Sequence, residues 1–330
     1  MNLSILDQAP IPSGKTPQDT LQASMQLARK AEELGYVRYW IAEHHDFSGL
    51  ACSAPEVMLS YIGAHTNHIR IGSGAVLLPH YKPYKVAETY NLLSTLFPNR
   101  IDIGIGRAPG GSAEATMALS DNYLEQVRKM PEKIKELLHF LNNDFPTDHM
   151  FSKVSAAPVP TVPPEPWILG TSEKSAILAG EYGTAYVFGA FMSDKNGKEI
   201  IQTYKKHYQN KLNPPKVIVT ISAICAETTE KAEELALCNL IWGVQLSKGE
   251  GKEGIPTIEK AKLYPLTPEE EDKLKLKKEN MVIGNPLEVK EQLIHLKTLY
   301  NADELMIVTI THEFEDRLRS YELIANQFSN

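Results

Sequence analysis

The chain of 330 residues is poor in cysteine. Its three cysteines, Cys52, Cys225 and Cys238, are far apart in sequence, and no two of them form a C-x-x-C motif. This spacing argues against a disulfide framework and a zinc ribbon, and it is typical of a reducing compartment. His65 and His68 have the spacing of one helical face, but no third ligand accompanies them. We therefore predict no bound metal.

The sequence also lacks an excess of basic residues and a long hydrophobic run. Thirty-four Lys and Arg against 41 Asp and Glu give a net charge of −7. Such a chain has no positive field that attracts nucleic acid. No run reaches the ~18 apolar residues of a membrane helix, and Asp7 and Gln8 lie where a signal peptide has its apolar stretch. We expect a cytoplasmic protein without nucleic-acid or membrane partners.

Three common nucleotide-binding or catalytic motifs are missing. The segment 104–110 has Pro109 where a dinucleotide fingerprint needs its third glycine, and the segment 13–16 has Ala9 where a P-loop needs its first. No G-x-S-x-G motif supplies a nucleophile for acyl transfer.

Strand and helix patterns alternate along the whole chain, whose composition, 42% hydrophobic and 23% charged, is that of a globular protein. Eight segments have strand patterns: residues 2–6, 36–42, 69–78, 100–105, 167–169, 185–188, 216–225 and 304–308. Helical patterns lie between them, and Thr16, Pro17 and Asp19 form a helix start whose end is marked by Gly35. Eight such units favour one closed (β/α)8 TIM barrel, an α/β fold, over a doubly wound sheet. We expect residues 1–330 to form that single domain.

Residues 247–280 interrupt the alternation near the seventh to eighth unit. This segment is rich in Gly, Lys and Glu. Its composition is typical of an exposed insertion, and its length also fits a lid over a ligand site.

Residues that follow barrel strands form the rim where such folds have their active sites. Five strand ends carry small or chemically active residues: Glu43, His44 and His45; Pro79 and His80; Gly106, Arg107, Gly110 and Gly111; Gly170, Thr171 and Ser172; Thr311 and His312. Arg107 among glycines, with Ser172 and Ser175 at a helix start, fits a phosphate site. The alternative is a salt-bridged Arg107 and two serines that only cap their helix.

An acid–histidine group follows the second strand. Glu43 can hold an imidazole tautomer or raise its pKa, which suits a proton donor near neutral pH. The alternative is a structural role for one ring, bonded to a strand end.

Four segments resemble the bacterial luciferase-like, flavin-dependent monooxygenases. They are residues 39–45 (YWIAEHH), 71–79 (IGSGAVLLP), 86–93 (VAETYNLL) and 99–107 (NRIDIGIGR). The resemblance is sharp over the first 111 residues, looser through Gly170, Thr171 and Ser172, and only architectural toward the C-terminus.

The resemblance implies a barrel enzyme, commonly a homodimer, that binds reduced FMN from a separate flavin reductase. Such enzymes add O2 at the flavin C4a atom and use the peroxide to oxygenate a small-molecule substrate. It implies that Glu43 lies beside the flavin and that His44 is the catalytic imidazole. The Gly74-Ala75 peptide, often cis in this family, would support the flavin ring.

The same resemblance places Arg107, Ser172 and Ser175 at the phosphate, with Gly106 and Thr171 also at the cofactor. Thr171 replaces an acid of luciferase itself, and Gly106 replaces a cysteine. These departures do not support light emission or specificity for long-chain aldehydes. Apolar walls that keep water out would come from Phe191, Met192 and Trp242.

Three alternatives remain at this point. The barrel could bind a deazaflavin (F420) and transfer hydride without O2, or bind flavin without turnover. It could also be a flavin-free lyase for a phosphorylated metabolite.

Overall fold

The computed structural model describes residues 1–328 and shows a closed barrel of eight parallel strands with one extra strand. The strands are β1 (Leu3–Asp7), β2 (Arg38–Ile41), β3 (Arg70–Leu77), β4 (Ile101–Gly106), β5 (Glu165–Gly170), β6 (Ala185–Gly189), β7 (Val217–Cys225), β8 (Val282–Gly284) and β9 (Glu304–Val308). Their order is β6-β5-β4-β3-β2-β1-β9-β7, and pairing of β6 with β7 closes the ring. The predicted (β/α)8 TIM barrel is confirmed.

Helices surround the barrel. They are α1 (Pro17–Glu33), α2 (Pro55–Ala64), α3 (Pro83–Leu96), α4 (Ala113–Leu119), α5 (Tyr123–Arg128), α6 (Met130–Asn142), α7 (Glu173–Glu181), α8 (Gly197–His207), α9 (Thr229–Ser247), α10 (Ile258–Leu263), α11 (Pro268–Glu279), α12 (Pro286–Tyr300) and α13 (Phe314–Asn326). The start of α1 is a capping box: Thr16 Oγ1 accepts from the Asp19 N–H, and Asp19 accepts from the Thr16 N–H. After this helix, Gly35 has a φ of +79°.

Three differences from the sequence expectation concern short elements. Helix α2 was not predicted, and the expected helix over 123–141 is divided into α5 and α6 where Pro131 begins a new first turn. The short strand β8 was also missed; it pairs with β7 at Ala223–Cys225. Three residues give too little sequence pattern for a strand.

The expected insertion has an inner part and an outer part. Helix α11 has no buried residue. By contrast, Ile255 is fully buried, accepts from the Ser13 N–H at 2.9 Å and donates to the Ile11 carbonyl at 2.9 Å. The inner part is therefore fixed to the β1–α1 loop.

Charged side chains fill the barrel at the N-terminal ends of its strands. The Arg38 guanidinium lies 2.7 Å from both Asp102 Oδ2 and Glu304 Oε1, and it packs over the Trp167 ring at 4.7 Å. Trp40 Nε1 also donates to Asp102, at 2.9 Å. The ionic pairing satisfies charges that would otherwise be buried without partners.

Candidate active site

The Glu43 carboxylate is the centre of a buried hydrogen-bond group just after β2. Its Oε1 lies 2.7 Å from His45 Nε2 and accepts from the Tyr81 hydroxyl at 2.7 Å. Its Oε2 accepts from the Leu77 N–H at 3.1 Å. Only 4% of Glu43 is exposed, so these three donors provide the stabilisation that water would give to an exposed carboxylate.

Glu43 therefore orients His45, whereas the sequence left open which imidazole it serves. A carboxylate oxygen only accepts, so His45 Nε2 carries the proton in this bond. Burial, together with the charge of Glu43, raises the pKa of the Tyr81 hydroxyl. The Tyr81 hydroxyl thus stays protonated against the carboxylate.

His44 has very different surroundings from its neighbour. Its backbone N–H donates to the Cys52 carbonyl at 2.9 Å, but its ring atom Nδ1 is buried without a hydrogen-bond partner among residues 1–328. Burial, and secondarily the charge of His45, lower the pKa of His44 to about 4. Glu43 therefore does not raise the pKa of this imidazole, which is neutral at pH 7 because burial penalises its charged form.

The loop after β4 lies at the same mouth of the barrel as the two histidines. The His45 N–H donates to the Gly110 carbonyl at 2.8 Å, and His45 forms a parallel bridge with Gly111. Arg107 is exposed, and within residues 1–328 its guanidinium has no hydrogen bond or ion pair. The alternative of a salt-bridged Arg107 is therefore wrong, and this cation is available to an anion.

The Gly74-Ala75 peptide lies between β2 and β4 at the mouth end of β3. This peptide bond is cis, the form that the family resemblance implies. The register between β3 and β4 shifts between Ser73 and Val76, which takes the peptide out of the regular ladder. A Cβ at Gly106 would lie 2.9 Å from the Ala75 Cβ. The close approach thus requires glycine on β4.

Ser172 and Ser175 begin helix α7 after β5. They form the predicted cap: the Ser172 hydroxyl accepts from the Ser175 N–H at 3.4 Å, and the Ser175 hydroxyl donates to the Ser172 carbonyl at 2.6 Å. Thr171 precedes them and is half-buried. The cap itself is confirmed, whereas a role of these serines at a phosphate stays a prediction; the first turn of α7 presents the positive end of its dipole to the rim.

One buried apolar cluster, which includes barrel residues such as Trp40 and Trp167, contacts or contains two of the three expected apolar residues. Trp242 is 4% exposed and its ring centroid lies 6.2 Å from that of Phe47. Phe191 packs against the same cluster, as does Ile255 from the inner part of the insertion. Met192 is 68% exposed, so its expected place in an apolar wall is not formed.

No metal-binding arrangement accompanies this site. In the part of the chain that the structure describes, no group of three or more His, Cys, Asp or Glu side chains is placed to hold an ion. None of the helices in residues 1–328 is both long enough and apolar enough to span a membrane.

Sequence reasoning missed Tyr81 and Tyr123. Tyr81 binds Glu43, and the Tyr123 hydroxyl donates to the Arg107 carbonyl at 2.6 Å. The pairing of Glu43 with His45 had a sequence signal, because alternate side chains of an extended segment point the same way. The two tyrosines come from segments beyond the strand ends and had no comparable signal.

Known proteins resemble this chain over its full length. The family model described as luciferase-like monooxygenase matches residues 1–301. The N-acetyl-S-alkylcysteine monooxygenase of Bacillus subtilis is 37% identical over 329 residues, which cover 99% of this chain and 98% of that protein.

Solved structures agree with this match. The crystal structure of apo-MsnO8 aligns with a TM-score of 0.89 at 33% identity and covers 99% of this chain and 98% of that one. The oxygenating constituent of 3,6-diketocamphane monooxygenase from Pseudomonas putida, solved in complex with FMN, aligns with a TM-score of 0.74. It covers 99% of this chain and 97% of that one, and its 19% identity shows a shared fold alone.

Proposed function

Because this chain belongs to the luciferase-like monooxygenase family, we propose that it is an FMN-dependent monooxygenase acting on a small organic substrate. It uses reduced FMN that a separate flavin reductase delivers. The observation that carries this proposal is the meeting, at one barrel mouth, of a neutral buried imidazole and an unpaired guanidinium.

The residues at the mouth fit the parts of FMN. The cis Gly74-Ala75 peptide at the mouth end of β3 would lie against the flat flavin ring, and Gly106 lets β4 approach Ala75 closely at this point. The guanidinium of Arg107, together with Thr171, Ser172 and Ser175 at the start of α7, suits a phosphate. Glu43 would contribute indirectly, because its carboxylate fixes the side chains of His45 and Tyr81.

His44 is the proposed catalytic imidazole. Reduced FMN, when bound, supplies the electrons that activate O2 for insertion of one oxygen atom into the substrate. The neutral ring of His44 would accept a proton at its unprotonated nitrogen and release it again readily, because burial disfavours the imidazolium. The apolar cluster around Trp242 keeps bulk water from the site.

His44→Ala tests this role in a reductase-coupled assay. We expect FMN affinity to remain near that of the unmodified chain, whereas coupled product falls by about 100-fold, a typical loss for a proton-transferring side chain. His295→Gln is the control, because His295 is exposed on α12 outside the barrel. Unchanged product yield in His44→Ala would remove His44 from the mechanism.

The relative named for N-acetyl-S-alkylcysteines suggests the first substrates for that assay. A panel of N-acetylated thioethers with alkyl chains of increasing length measures whether this chain oxygenates them. Product from thioethers supports a substrate of that chemistry, and product only from ketones or aldehydes argues for a different one.

We also propose a homodimer that packs through α2 and α3. These neighbouring helices expose Val57 (64%), Tyr61 (38%), Leu92 (49%) and Leu96 (56%) with i,i+4 spacing. A paired apolar face of this kind is typical of an interface. Leu96→Glu should convert the dimer to a monomer in sedimentation analysis, and a wild-type monomer would contradict the proposal.

A further inference from the structure

We propose that His80 and Tyr123 are positioning residues that hold Arg107 in place for the cofactor phosphate. The proposal rests on the proposed function, since it concerns the same FMN site. It assigns a role to two side chains that do not themselves contact the phosphate.

Both side chains bind backbone carbonyls of the loop that carries Arg107. The Tyr123 hydroxyl donates to the carbonyl of Arg107 itself at 2.6 Å. His80 Nε2 lies 2.8 Å from the Pro109 carbonyl. The two rings stack with centroids 5.1 Å apart and planes 29° from parallel. Together they form one clamp, defined by His80 and Tyr123, on the outer side of the loop.

The hydrogen bond of His80 fixes which ring nitrogen is the donor. A carbonyl oxygen only accepts, so Nε2 carries the proton. Its Nδ1 is buried and has no hydrogen-bond partner among residues 1–328.

The inner side of the loop is fixed by backbone contacts. The His45 N–H donates to the Gly110 carbonyl at 2.8 Å. Gly110 has a φ of +73°, and a Cβ there would lie 2.1 Å from Leu77 Cδ1. The loop is thus held between Leu77 and His45 on one side and the clamp on the other.

This arrangement restrains the backbone of Arg107 while the side chain stays unpaired. A cation whose backbone is already ordered loses less conformational freedom when it binds an anion. Removing a clamp hydrogen bond should therefore weaken binding of the phosphate group and leave binding of the flavin ring unchanged.

Comparing FMN with riboflavin separates these two effects, because riboflavin lacks the phosphate. Anaerobic titrations measure the Kd of photoreduced FMN and of photoreduced riboflavin for each protein. For Tyr123→Phe and for His80→Gln we expect FMN affinity to fall about fivefold, because each variant loses roughly one net hydrogen bond. Riboflavin affinity should not change.

Tyr208→Phe is the matched control. Its hydroxyl also donates to a backbone carbonyl, that of Pro214 at 3.2 Å, but it lies after α8 and away from the mouth. Arg107→Gln should lower FMN affinity about 10-fold to 100-fold without affecting riboflavin. In the Arg107→Gln background, Tyr123→Phe should cause no further loss.

Distinct results overturn the proposal at distinct points. An equal loss of FMN and riboflavin affinity in the clamp variants would show a merely structural role, and no loss of either would show no role. If Arg107→Gln leaves the preference for FMN over riboflavin unchanged, Arg107 does not contact the phosphate. The proposal then fails although the chain still binds FMN. Failure of the unmodified chain to bind either flavin would overturn the proposed function as well.

Discussion

His44 and His45 are adjacent in sequence, but their rings have different hydrogen-bond partners. His45 is bonded to Glu43, whereas His44 has a buried Nδ1 without a partner and a pKa lowered to about 4. The sequence could predict that this group lies at the rim, because residues after parallel strands meet there. It did not predict that the Nδ1 atom of His44 would be buried without a partner, because this depends on how the loop after β2 folds back, with the Phe47 ring centroid 6.0 Å from that of His44.

The lowered pKa of His44 predicts how stability depends on pH. The unfolded chain binds this proton near pH 6.5, and the folded chain binds it only near pH 4. Between these values the unfolded state holds more protons, so stability falls as the pH falls. From pH 7 to pH 5, His44 alone should lower the free energy of unfolding by about 2 kcal/mol.

Urea titrations of the unmodified chain and of His44→Gln at pH 7, 6 and 5 measure this effect. Between pH 7 and pH 5, the unmodified chain should lose about 2 kcal/mol more unfolding free energy than His44→Gln does. His295→Gln provides the baseline for an exposed histidine. A difference that stays flat with pH would show that the ring is not neutral through this range.

Secondary-structure elements were predictable where their side chains alternate or repeat clearly. Strand β7 has nine buried residues rich in Val and Ile, and α1 has a complete start and end signal. Helix α2 lacked that clarity because Val57 and Tyr61 put apolar groups on its outer face as well. Tertiary contacts decide such elements.

Residues 247–280 could not be divided from the sequence into a packed and a solvated part. The structure predicts different responses to truncation in the two parts. Ile255→Ala removes a fully buried side chain and should destabilise the chain by about 2 to 4 kcal/mol, the range for large-to-small core changes. Leu276→Ala on α11, where Leu276 is 62% exposed, should leave stability unchanged.

The urea midpoint of each variant checks this contrast. Equal midpoints for Ile255→Ala and Leu276→Ala would show that the inner part of the insertion does not pack against the barrel. Loss of coupled product in Ile255→Ala, measured where the variant is still folded, would favour the lid interpretation of residues 247–280.

At the scale of the whole molecule, the two mouths of the barrel have different chemistry. The N-terminal mouth is closed by Arg38 with Asp102 and Glu304. The C-terminal mouth has Arg107, whose guanidinium has no ion pair among residues 1–328, and the Nδ1 atom of His44, which has no hydrogen-bond partner there. The charges at the N-terminal mouth are thus paired with one another, whereas the C-terminal mouth presents a cation and a ring nitrogen that have no protein partner among residues 1–328.

Arg38→Met tests the structural role of the closed mouth. The substitution leaves Glu304 buried without its cation, and we expect a loss of about 3 to 5 kcal/mol in unfolding free energy. Lys262→Met breaks an exposed pair with Glu234 and should change stability little. If both variants lose the same stability, the buried network is not a determinant of the barrel.

Binding of reduced FMN tests the central claim most directly. The chain is titrated under anaerobic conditions with photoreduced FMN and, separately, with a reduced deazaflavin, and each complex then receives an oxygen pulse. We predict saturable binding of FMN, weaker binding in Arg107→Gln, and oxygen uptake by the FMN complex. Saturation by the deazaflavin alone, or bound FMN without oxygen uptake, would contradict the monooxygenase assignment, and no binding of either would contradict the flavin site itself.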